Sequence, residues 1–198
     1  MQSHSWHKCV LAAALAASLI AVGCSTRWIS VALEDLPVLT EMALNIATVV
    51  ATLQTEKQVS LPESAAIQNI SAEASRDLNL LQTLCNDYKQ KADAGTLKEI
   101  QTTIATINTS LPSMLQAARI SDPVLLTRVS AAVNLIVSTV NTFATLMPQA
   151  KPSTSQKSAT AKAGIPNAGQ LRTSWNRQVC APTGRPEMDS AFARCPVR

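Results

Sequence analysis

Between Trp28 and Met147, apolar residues recur every three or four positions in four separate blocks. The first reads Leu36, Leu39, Ala43, Ile46, Val50, Leu53; the second reads Ile67, Ile70, Ala74, Leu78, Leu81, Cys85, Tyr88. The third reads Leu97, Ile100, Ile104, Ile107, Leu111, Met114, Ala118; the fourth reads Leu126, Val129, Val133, Ile136, Val140, Phe143, Met147. Steps of three and four keep side chains on one face of an α-helix, whereas a half-buried strand needs steps of two, and no sustained run of those occurs. Met42, Val49, Leu80, Leu84, Leu115 and Val137 widen the stripes beyond a bare coiled-coil seam. The pattern predicts an all-α fold, an up-down four-helix bundle occupying residues 24–147.

The residues between the blocks agree. Ser60 and Glu63 have the spacing of a capping box, with Pro62 in the first turn, where a missing N–H costs nothing. Asp93-Ala94-Gly95 reads as a helix stop, with Thr96 as the next cap. Ser121-Asp122-Pro123 starts the fourth helix. Asp35 and Pro37 offer a start for the first, which Trp28-Ile29 can extend backwards. Pro112 interrupts the third block without shifting its phase, so a kink or short break is expected there.

The body is flanked by two different segments. Val10 to Val22 is a run of 13 residues, all apolar except Ser18, preceded by Lys8. It is too short to span a bilayer, which takes about 20 residues. A charged start, a short apolar run and small residues at its end describe a secretory signal peptide over 1–23. The run ends in Ala21-Val22-Gly23-Cys24. Here the chain resembles the bacterial lipoproteins, whose lipobox is an aliphatic-to-small run closed by an obligatory Cys; Ala21 stands where that family favours Leu. The resemblance implies cleavage before Cys24, lipidation of its sulfur and acylation of its new amine, hence anchorage in a membrane. Two or more acyl chains hold a protein firmly where one does not. Ser25, in place of the Asp that retains such proteins in the inner membrane, implies the outer membrane where the source has two. The Ala/Thr/Ile-rich helices and the Trp soon after the lipobox are similar to those of small helical lipoproteins of environmental bacteria, a likeness that brings no activity with it.

After Met147 the apolar pattern stops. Residues 148–169 are rich in Lys, Pro, Ser, Thr and Ala and read as a flexible linker. Residues 170–198 read as an irregular, basic tail, too poor in apolar residues for a core of its own and expected to be dispensable for folding; an end foreign to the fold is the other reading of it. Cys180 and Cys195 are disulfide candidates in an exported segment, and closing a loop of about 15 residues contributes roughly 3 kcal/mol in the chain-entropy model.

Composition sharpens the picture mainly by exclusion. Aromatics are 3% and glycines number five, which suits helices packed through Ala, Val, Leu and Ile. The net charge of +4 is unevenly spread, being negative over the body and positive over the tail. Both histidines, His4 and His7, lie in the expected signal peptide, so the mature chain lacks His-based triads, bases and metal ligands. No nucleophile elbow, P-loop or dinucleotide fingerprint occurs. The cysteines are too dispersed for zinc, and no Glu-x-x-His pair offers a carboxylate-bridged metal site. Cys85, on an apolar stripe with no base nearby, reads as a small buried hydrophobe. Glu34, Asp35, Glu73, Asp77 and Asp87 are expected on solvated faces, with Arg76 offsetting the Glu73–Asp77 repulsion.

The reading that results is a non-enzymatic, membrane-anchored envelope lipoprotein with a structural or adaptor role. It has no catalytic residue, cofactor or metal. Its partners are the membrane through Cys24, an envelope protein on the helical surface, and an anionic polymer or lipid at the basic tail, with no nucleic acid. The alternatives are a membrane-active helical protein and an enzyme of unrecognised type.

Overall fold

The computed structural model describes residues 27–147 and 166–197. Four long helices form the body: α1 (Arg27–Thr55), α2 (Leu61–Gln90), α3 (Ala94–Ala117) and α4 (Pro123–Leu146). Two short ones follow, α5 (Ala168–Gln178) and α6 (Pro186–Phe192), and the described residues contain no strand. Successive long helices pack on one another across connections of a few residues, which makes neighbours antiparallel, and α1 also meets α4 to close the ring. The fold is therefore the all-α bundle that the apolar spacing predicts.

The helix ends follow local chemistry. Ser60 and Glu63 form the capping box at α2, and the Asp122 carboxylate accepts from the Val124 and Leu125 amides at α4. Asp93 caps α3 by accepting from the Thr96 amide, so that helix starts earlier than a Thr96 cap would place it, and Gly95 lies inside it. α1 starts at Arg27, not near Asp35, and runs through Pro37. Pro37 is exposed, and its missing N–H leaves the Leu33 carbonyl one turn earlier without its helical donor. α3 likewise runs as one helix through Pro112, so the short break that was the alternative to a kink there is absent. α1 ends in a Schellman turn, the Gln58 amide donating to the Leu53 carbonyl and Lys57 to Gln54, with Lys57 at φ 59°.

The core consists of the expected stripes with few changes. Leu36, Met42, Ile67, Leu81, Ile100, Ile107, Val133 and Val140 are all buried. Leu126 and Leu80 are instead exposed, and Leu125 takes the inward place of Leu126. Ser71 on α2 donates to the Ala43 carbonyl of α1, and Trp28 on α1 lies 6.0 Å, centroid to centroid, from Tyr88 on α2.

The expectation of an irregular tail does not hold. Asn167 and Gln170 form a second capping box at α5, and Ala168, Leu171, Trp175 and Val179 fall in steps of three and four on a buried face. Met188, Ala191, Phe192, Cys195 and Val197 are buried as well. These few apolar residues do not build a core of their own; they join the bundle's. α5 packs against α1 and α4, and α6 against α1. The expected signal peptide, Cys24 and most of the expected linker lie outside the described residues.

Candidate functional site

Two places in this fold hold chemistry beyond ordinary packing. The first is the C-terminal cap. Trp175, wholly buried, donates from Nε1 to the Cys195 carbonyl at 3.2 Å. The Asn176 side chain brackets Val197, accepting from its amide at 3.0 Å and donating to its carbonyl at 3.2 Å. Cys180 and Cys195 are joined by a disulfide, which fixes the end of α5 to the segment after α6. Gly184, at φ 78°, makes the turn between the two helices, and Asp189 accepts from the Thr183 amide and hydroxyl to hold it.

Three polar links fasten this cap to the bundle. Arg128 of α4 donates to the carbonyls of Gln178, Ala181 and Pro182 at 2.7, 3.0 and 3.4 Å. A cation at the C-terminus of α5 meets the helix's orphan carbonyls and the negative end of its dipole. Arg185 pairs with Asp122, the cap of α4, and Ser190 donates to Glu56 at 3.1 Å. Beneath the cap lies a small apolar void lined by Ile46, Val49, Leu125, Val129, Trp175 and Phe192. With no polar group aimed into it, that void offers packing space and no chemistry.

The second place is Asp35. Its side chain faces the bundle interior with 0% exposure, and neither carboxylate oxygen has a hydrogen-bond partner. Burial, with a smaller push from the neighbouring Glu34, raises its pKa to about 7. Asp77, at 5% exposure, is also buried, with Arg76 alongside its outer oxygen. Glu34 and Asp87 are exposed and Glu73, paired with Arg76, half-buried. The placement of all five carboxylates on solvated faces is thus corrected for Asp35 and Asp77. The signal for Asp35 was present in the sequence, since it lies seven residues from both Trp28 and Met42 and so on their stripe. Its reading as a helix start beside Pro37 concealed it.

Cys85 is buried without a base, and burial pushes its thiol up to about 12. Among the described residues no three His, Cys, Asp or Glu side chains gather as metal ligands do. What remains is a helical bundle closed by a disulfide-bonded cap. Compared with protein-family models, curated proteins and solved structures, the chain matches none.

Proposed function

We propose that this chain is a non-enzymatic lipoprotein of the bacterial envelope, held to a membrane through lipid on Cys24 and presenting its helical bundle as a structural or adaptor module. The observation that carries the reading is the run Val10–Val22 closed by Ala21-Val22-Gly23-Cys24, three residues before α1 begins at Arg27. The buried Cys180–Cys195 disulfide suits an oxidising compartment. Mass spectrometry of the mature N-terminus should find a lipid-modified Cys24, and Cys24→Ala should move the protein from the membrane to the soluble fraction. An unlipidated N-terminus elsewhere refutes the anchor.

A membrane-active role is the second reading, favoured by the apolar length of α1 and α4, whose mean hydropathies are 1.6 and 1.5 over their most apolar stretches. Those stretches are 50% and 39% buried in the bundle, and α1 would carry Glu41 into the bilayer. Release of dye from liposomes by the purified protein would favour this reading over the first.

A further inference from the structure

A carboxyl group at 0% exposure with both oxygens unpartnered is the least comfortable feature of this core. Transfer of an ionised carboxylate into an apolar interior is costly enough that such a group takes up a proton or the structure around it gives way. Asp35 sits two helical turns from Trp28, whose indole N–H is also buried without a partner, and on the stripe shared with Met42 and Val49. α1 therefore seats two unmet polar groups on a face that is otherwise apolar.

The elements packed against α1 provide no counter-charge. α2 carries Asp77, Cys85 and Tyr88 near the interior, the first beside Arg76, the second a thiol that burial pushes up to about 12 and the third against Trp28. α4 carries a single ionisable group, Arg128, engaged with the cap carbonyls. α5 carries Arg172 and Arg177; α6 carries Glu187, paired with Arg185, and Asp189, held by Thr183. None forms a hydrogen bond or ion pair with Asp35, and the charge that acts on it is that of Glu34, of the same sign.

We propose that Asp35 is a proton-operated latch: with a proton on its carboxyl the inner face of α1 seats in the bundle, and on losing it α1 loosens from its neighbours. The direction follows from linkage. The folded group holds its proton up to about pH 7, while in the unfolded chain it releases it near the ordinary 3.8. Between those values the folded state binds the extra proton, so stability is greatest at the acid end and falls as pH rises. One proton makes the unfolding equilibrium constant grow about tenfold per pH unit across that window, with a plateau above it.

Amide hydrogen exchange of the full chain at pH 5.5 and pH 8, corrected for intrinsic rates, tests this. The α1 amides around Asp35 should exchange at least about tenfold faster at pH 8 than at pH 5.5, and Asp35→Asn should remove the difference. Protection of α1 that is equal at both pH values, or a difference that survives in Asp35→Asn, overturns the latch. Should that variant not fold, the carbon-13 titration of the Asp35 carboxyl in the unaltered protein decides: a midpoint between 6 and 8 supports the proposal and one below 5 overturns it.

Discussion

Glu63 joins three segments with one carboxylate. One oxygen accepts from the Ser60 hydroxyl at 2.6 Å and its amide at 3.3 Å, completing the cap of α2. The other accepts from the Ser121 amide and hydroxyl at 2.7 and 2.6 Å, holding the α3–α4 connection against that cap. The Ser121 hydroxyl first, then the Ser60 hydroxyl and the Ser121 amide, lower its pKa to about 2. A carboxylate shifted down stabilises the fold above its ordinary value of 4.5, and that contribution disappears as pH falls from 4.5 through 2. The wild type should therefore lose stability more steeply than Glu63→Gln over that acid window, as followed by circular dichroism during chemical unfolding. Because the group is partly exposed, the difference should be about 1 kcal/mol or less. Parallel acid limbs for the two proteins would remove Glu63 from the account. Its effect has the opposite sign to that of Asp35, which favours the fold towards acid, so the two contributions together should be greatest where the windows overlap, at about pH 4.

At the scale of elements, α5 and α6 decide how the bundle ends. Trp175 is buried by both the cap and the bundle, so Trp175→Ala should cost about 3–5 kcal/mol, as large-to-small changes of a core aromatic do. Arg128→Ala should cost less but act on the same unit, leaving the Gln178 carbonyl at the end of α5 and the Ala181 carbonyl beyond it without their donor. Thermal melts of the two single variants and the double should show coupling, the pair costing less than the sum, because either change detaches the cap. Strict additivity would mean the two residues hold different things. These two elements were the hardest to read from sequence. α5 spans 11 residues and α6 only 7, too few turns for periodicity to stand out from a basic, Pro-containing stretch. Yet Ala168, Leu171, Trp175 and Val179 keep the helical spacing, and Asn167 with Gln170 has the form of a capping box. The long helices were legible because seven or so matched positions outweigh one misplaced residue, such as Leu126 for Leu125. Asp35 was passed over although it shares the stripe of Trp28 and Met42, since binary patterning assigns a charged residue to the outside.

At the scale of the molecule, the cap makes the fold one body and not a bundle with an appendage. Removing residues 148–198 should uncover Ile46, Val49, Val50, Leu125 and Val129 together, a contiguous apolar strip along the α1–α4 seam. The truncated chain should melt several degrees lower, bind a hydrophobic dye and self-associate. An unchanged midpoint in calorimetry would restore the tail as dispensable.

The cap also has a place in time. Ser190 meets Glu56 across 134 positions of sequence, so the contacts that seal the α1–α4 seam join segments synthesised far apart. Whatever the route of the chain after synthesis, four helices with mostly local contacts can collapse first, while contacts this distant come late. During that interval the nascent bundle displays an adhesive strip that a holding chaperone would recognise and a finished molecule would not. A chain cut short before Trp175 would keep that strip on display, and the cell's proteases would have a physical mark by which to tell the incomplete copy from the complete one.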